Sequence, residues 1–486
     1  NPSYLSIKNV MHPTYVKKIR LIFSLFLFPA ALAATDLQIH QTILYHEHGE
    51  MYAVVNLSWE NAWHNGRNHD AVWLFFKFGT EAEGYRHLYL APDGHEAVSE
   101  GTPSLAFEVP ADSTGVFIYP ARTYRGGIQA TVRIHFDPAR LPFDHPYGGR
   151  TTKAYGLEMV YIPAGGFTLG DPDTSLLEMG AVYRSDGRGN FDGLVEVTRE
   201  DQVIEVGPEA GKLYYRTDPY RYKGDQEGPV PATFPKGVRA FYIMKYEVTQ
   251  GQYADFLNSL LPGQTQHRVI YGHKEYYRHR GTIRREGNNY VAVVPERPLN
   301  YASWDDGMAF ADWAGLRPMT ELEFTKACRG PSSPQLLEYP WGTESKSKLL
   351  RLVTPEGDLS LLGGLEEGML SDENRHLFGA SFYWVMDMAG SIWERTVTFG
   401  DAAGRAFTGN HGDGHIGYYG FADVAGWPAG GTVTEGFGFR GGGFYTYGRT
   451  YGAGNPFRKI ADRSFGGWPG GVRTEAYGQR FVRTAP

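Results

Sequence analysis

Two carboxylates bracket a short irregular stretch that reads Asp387-Met388-Ala389-Gly390-Ser391-Ile392-Trp393-Glu394. It has no helix face, and Gly390 interrupts any strand. A glycine there lets the backbone turn where a Cβ would interfere. Side-chain carboxylates at both ends, with backbone carbonyls between, are the oxygen donors that a hard cation such as Ca²⁺ takes. The competing reading is a plain turn with two solvated acids and a buried Trp393. His411-Gly412-Asp413-Gly414-His415 also has metal-ligating residue types. Two imidazoles and a carboxylate could form a facial site, but an exposed Gly-rich turn is the favoured reading. His46-Glu47-His48 reads as polar surface. Cys328 is the one cysteine, which excludes an internal disulfide and a multi-Cys zinc site. It follows Phe324 and Ala327 in a helical pattern, so an inert buried thiol is expected.

These residues need elements to position them. Thr249 with Gln252 and Thr320 with Glu323 have capping-box spacing, and Ser303 can cap a helix carrying Met308, Phe310 and Trp313. Gly315 should stop that helix, and Met319 with Phe324 forms a hydrophobic staple. Upstream, residues 36–137 alternate apolar and polar positions in Val55–Trp59 and Val132–Phe136, while Val72–Phe76 is apolar throughout. These are signals of half-buried and fully buried strands. The expectation is a β-sandwich over 36–137, a linker over 138–154, and a second domain over 155–486 that is packed separately. Residues 171–238 have weak periodicity and many charges, and read as a surface insertion with a hairpin. Past Gly400 the chain is Gly-rich but full of Trp, Tyr and Phe, which predicts ordered loops around short strands.

The chain has 486 residues and a net charge of −7, which argues against a nucleic-acid partner. Lys17, Lys18 and Arg20 precede an apolar run, Leu21 to Leu32, and Ala31-Leu32-Ala33 supplies a small-x-small cleavage pattern. This reads as a secretory signal peptide cut near Ala33, with Met11 as the start. A secreted or cell-surface location follows, with no transmembrane segment after cleavage.

The segments, taken together, resemble the formylglycine-generating enzyme, or sulfatase-modifying factor, family. The resemblance rests on seven motifs in family order. They begin with Met159-Val160-Tyr161-Ile162-Pro163-Ala164-Gly165-Gly166-Phe167, Tyr246-Glu247-Val248-Thr249 and Arg317-Pro318-Met319-Thr320-Glu321-Leu322-Glu323-Phe324. Tyr339-Pro340-Trp341-Gly342, Asp387 to Glu394, Arg440-Gly441-Gly442-Gly443-Phe444 and Gly478-Gln479-Arg480 complete the set. The resemblance implies an α+β fold of the C-type-lectin-like kind with little regular secondary structure, here preceded by the all-β sandwich. It also implies bound Ca²⁺, with Asp387 and Glu394 as side-chain ligands and Gly390 and Ile392 as carbonyl ligands.

The family's chemistry carries over less readily. Its formylglycine-forming members hold Cu(I) through two cysteines before an Arg, and aligning Arg463 puts Asn455 and Ile460 at those places. Neither residue supplies a thiolate, so copper is not expected. A second branch holds non-haem iron through three His, most from a helical N-terminal domain, and residues 36–137 read as all-β. The reading that follows is a secreted, calcium-binding, non-catalytic protein that binds carbohydrate or peptide, or that self-associates at a surface. Its ligand groove is expected from Arg440, Tyr445, Tyr447, Arg458, Arg463, Trp468 and Arg480. The alternative is a metal-dependent oxidase of the same family with altered ligands.

Overall fold

The structure, a computed structural model, describes residues 37–486 except 48, 99–102, 143–148, 272–273, 347–348, 354–358, 432–434 and 445–457. The expected signal peptide, Tyr445, Tyr447 and Asn455 lie outside the described residues. Among those described, no helix is long and apolar enough to cross a membrane.

The first half is β-structure: β1 (Gln38–Glu47), β2 (Glu50–His64), β3 (Asp70–Thr80), β4 (Gly84–Leu88), β5 (Glu96–Ala97), β6 (Leu105–Glu108), β7 (Val116–Pro120) and β8 (Tyr124–His135). Alternation works as expected in β2, where Met51, Ala53, Val55, Leu57 and Trp59 are buried and the residues between them are not. One sheet has the order β1-β2-β8-β5. It faces a second sheet across a core that includes Val55, Leu57, Leu74, Phe76, Ile118 and Val132.

That second sheet does not end with the first half, which corrects the expectation of two separately packed domains. β3 pairs antiparallel with β9 (Thr151–Ile162) from Asp70↔Val160 to Gly79↔Thr151. Beyond β9 lie the strands Phe241–Met244, Phe481–Thr484 and Arg317–Pro318 in one eight-stranded sheet. The physical reason lies in β3, which is apolar on both faces. Val72, Leu74 and Phe76 enter the core shared with the first sheet, while Ala71, Trp73 and Phe75 enter the core of the second half. Trp73 Nε1 donates to the Ala314 carbonyl at 2.8 Å. The expected linker shrinks accordingly. Pro138–Arg140 form a short 3-10 turn, and the boundary expected near Tyr155 falls inside β9.

The stretch 171–238 also departs from expectation. Its short strands pair, Phe167–Leu169 with Val195–Val197 and Tyr183–Arg184 with Leu213–Tyr214. Val197, Leu213, Tyr215, Val230 and Phe234 belong to the main core, so the stretch is packed into the body rather than laid on it.

The helices are α1 (Gln250–Leu257), α2 (Pro262–Arg268), α3 (Lys274–Arg278), α4 (Trp304–Trp313) and α5 (Glu321–Arg329), with single-turn helices at Arg375–Phe378 and Ala402–Arg405. Thr249, Ser303 and Thr320 each complete a reciprocal capping box. Gly315 follows α4 with φ +68°, a conformation that favours glycine. Met319, Phe324 and Cys328 share one buried cluster, as the spacing predicts.

Candidate functional site

The α5 start organises the first part of the site. Its capping box turns Glu323 inward to pair with Arg317 at 2.6 Å, and leaves Glu321 fully buried. Glu321 accepts from Arg463 at 2.5 and 3.0 Å, from Arg440 at 3.2 Å and from the Thr398 hydroxyl at 2.7 Å. Burial alone would raise the Glu321 carboxyl, but Arg463 and Arg440 prevail and hold it below the usual range. Arg463 also lies over Tyr215 and Phe399, at 4.7 and 4.5 Å from the ring centres. The cavity bordered by Glu321, Arg440, Ile460 and Arg463 is about 10 Å³, room for one water at most. Arg440 and Arg463 are thus committed to Glu321 inside the fold, where the sequence reading had them line a ligand groove.

The loop before the strand Trp393–Val397 forms the second part. Asp387, Gly390 and Ser391 have φ values of +60°, +90° and +52°, so the chain does fold back on itself there. Both Asp387 oxygens accept from Arg351, Oδ1 from Nε at 2.7 Å and Oδ2 from Nη2 at 2.9 Å. Glu394 Oε1 accepts from Arg480 Nε and Nη2 at 2.9 and 2.8 Å. Arg480 spends its remaining donors on the carbonyls of Met244, Lys245 and Met386. It is completely buried, which removes it too from the expected ligand groove. Glu247 lies 3.7 Å from Arg480, and burial pushes its carboxyl up to about 8 against the pull of that arginine. Sequence reasoning missed Arg351, because nothing in its surroundings marks it and its partner is 36 positions away.

The third part is an aromatic wall that runs from the buried Trp393 to the half-buried Phe465, Trp468 and Tyr222. Trp393 meets Phe465 at 5.3 Å, Phe465 meets Trp468 at 5.2 Å, and Trp468 meets Tyr222 at 4.2 Å. Arg458 lies over Trp393 at 5.2 Å and donates to Asp462 at 3.2 Å. Arg458 and Trp468 are half-buried and stay as ligand candidates. Tyr222 was missed because the stretch 171–238 carries no periodic signal. It is placed by its own carbonyl, which accepts from the Gly467 N–H at 2.7 Å.

The other sequence candidates do not converge. His411 is half-buried, with Nε2 accepting from the Thr484 N–H at 3.0 Å, while His415 is exposed beside Tyr89 with its Nδ1 3.3 Å from the hydroxyl. The two imidazoles thus have different partners, the Thr484 N–H and the Tyr89 hydroxyl. Ile460 is 1% exposed and packs in the cluster that holds Cys328. Burial pushes the Cys328 thiol far up. Among the described residues no group of three or more His, Cys, Asp and Glu is placed to hold a metal.

Residues 149–484 match the model of the sulfatase-modifying factor enzyme 1-like domain. The chain belongs to that family. It is 24% identical to a formylglycine-generating enzyme of Bos taurus over 242 residues, 44% of this chain and 63% of that one. It is 29% identical to a hercynine oxygenase of Mycobacterium tuberculosis over 174 residues, 33% of this chain and 38% of that one. It is 32% identical to a formylglycine-generating enzyme of Thermomonospora curvata over 101 residues, 21% of this chain and 33% of that one. The chain thus spans less than two thirds of the curated relatives it matches. These family relatives overturn the non-catalytic reading: one is named as a generating enzyme and another as an oxygenase. The non-catalytic reading rests on Asn455 and Ile460 standing where the copper-binding cysteines of the family would be, and that speaks only against copper held by thiolates.

Proposed function

We propose that the protein is an oxidoreductase of the sulfatase-modifying factor family that uses O₂ to oxidise a small substrate bearing a carboxylate. The observation that carries this reading is the family match across 149–484, which includes every residue of the aromatic wall. Support also comes from the relatives' names, which describe a generating enzyme and an oxygenase. A thiolate-held copper does not fit the described residues. Ile460 is in the core and Cys328 is buried on α5, so no pair of sulfurs faces the wall. No step is therefore routed through copper, and conversion of a peptide cysteine to formylglycine is not part of the proposal.

The chain's own residues would act by binding and orientation. Arg458 would pair with the substrate carboxylate, its guanidinium already steadied by Asp462 and the Trp393 face. Trp468 and Tyr222 would cover the substrate's flat or apolar side and exclude water.

The test is oxygen uptake by the full chain supplied with Fe(II) or with Cu(I) and reductant. The substrate panel holds small sulfur-bearing amino acids, hercynine and a cysteine peptide. The expected result is substrate-dependent uptake with a small molecule, lowered at least about tenfold by Arg458→Ala. No uptake above the metal-only background with any substrate would overturn the reading.

A further inference from the structure

We propose that Arg351 is the fixed cation of the 387–394 loop, standing where the family resemblance implies Ca²⁺. A calcium ion takes about six to eight oxygens at roughly 2.3–2.6 Å, and its carboxylate ligands must be free to face it. Three of the four carboxylate oxygens of Asp387 and Glu394 already accept from guanidinium groups. Two fixed positive charges, Arg351 and Arg480, thus stand against the ligands a divalent ion would use. Asp387, with both of its oxygens held by Arg351, has none free for calcium.

Asp387 does fit an arginine. The exposures of the Arg351 and Asp387 side chains are 7% and 4%, so the pair is dry. The planar fork of Arg351 meets both carboxylate oxygens at 2.7 and 2.9 Å, a bidentate geometry a lysine could not give. Its remaining nitrogen, Nη1, donates to Glu367 at 3.2 Å, and Glu367 in turn accepts from the Tyr246 hydroxyl. The acid at 387 matters, since an amide there would give the guanidinium one acceptor and no charge. The loop also needs a clamp. Asp387 and Ser391 are non-glycine residues at positive φ, a conformation that costs energy unless neighbours enforce it. Arg351 enforces it at Asp387, and the Phe444 N–H holds the Ser391 carbonyl at 2.7 Å. The clamp shapes the turn that delivers Trp393 to the aromatic wall. It is independent of which reaction the wall serves.

The experiment measures calcium content and melting temperature of the full chain, in CaCl₂ and in EDTA. The wild type is expected to carry no stoichiometric calcium and to melt at the same temperature in both, because only an ion bound by the native state shifts the midpoint. Arg351→Gln is expected to melt lower than wild type and to regain part of the loss in CaCl₂, as the Asp387 oxygens become free. One calcium per wild-type chain, or a wild-type melt lowered by EDTA, would overturn the proposal. So would an Arg351→Gln chain that melts like wild type. Should that variant not fold, the two wild-type measurements still decide.

Discussion

Arg463 reaches across 142 positions of sequence to grip Glu321, with two hydrogen bonds of 2.5 and 3.0 Å between fully buried groups. Arg440 approaches the same carboxylate from a third segment. A pair of this kind is costly to break from one side, because the partner's charge stays buried and uncompensated. Glu321→Gln is expected to lower unfolding free energy by about 3–5 kcal/mol. Arg463→Lys should recover little of an Arg463→Ala loss, since an ammonium cannot bridge both oxygens. Urea denaturation measures both, and a Glu321→Gln cost under about 1 kcal/mol would show that the cluster is not what joins these segments.

The pH dependence has two opposed parts. Glu321 is held below its ordinary 4.5, so its contribution is present above 4.5 and is lost as pH falls through its lower folded value. Asp70 behaves in the opposite sense, because burial pushes it up to about 7, against Lys245 and the Trp63 N–H. The native state then binds more protons than the unfolded state between about 4 and 7, so this group's burial costs stability as pH rises through that window. Asp70→Asn keeps an acceptor for the Trp63 N–H at Oδ1. Its melting temperature relative to wild type should therefore be more favourable above pH 8 than at pH 5. A pH-independent difference would contradict the assignment.

The shared sheet predicts one unfolding event. Fluorescence, far-UV circular dichroism and calorimetry should report coincident transitions, with no separate melt for the first half. Trp73→Ala removes a ring that is fully buried, donates to Ala314 and packs on Phe117 at 4.6 Å. It should cost about 3–5 kcal/mol and still leave a single transition. Two resolved transitions in the wild type would mean that the β3–β9 seam does not couple the halves.

Cys328 should be silent in the native chain. It is 1% exposed, and its thiol is disfavoured as thiolate by burial. A thiol reagent should label it only as fast as the chain opens, with urea raising the rate. Rapid labelling under native conditions would contradict the reading of Cys328 as an inert buried thiol.

The sequence was most informative where the signal is local. Thr249, Ser303 and Thr320 announce their helices because a cap and its partner lie within three residues. Cys328 and Phe324 share a face because they are one helical turn apart. The β2 alternation was legible for the same reason. The seam between β3 and β9 was not, because an apolar strand such as Val72–Phe76 reveals that both faces are covered but not by what. The arginine partners were invisible for a related reason. Glu321 and Arg463, or Asp387 and Arg351, are matched only when loops far apart in sequence close around them. A motif could point to Arg440, Arg463 and Arg480, but their charge looked available for a ligand until the fold supplied its own carboxylates.

The position of β9 has a consequence for how this chain can be divided. The matched region begins at 149, two residues before a strand whose two edges are both covered, one by β3 and the other by Phe241–Met244. Removing everything before Thr151 would leave that strand's outer edge bare, with the backbone groups that pair from Gly79 to Asp70 turned toward solvent. A long unprotected edge is a template for another chain. The first half is thus a built-in guard against edge-to-edge aggregation, and its loss should appear as insolubility before it appears as any change in chemistry.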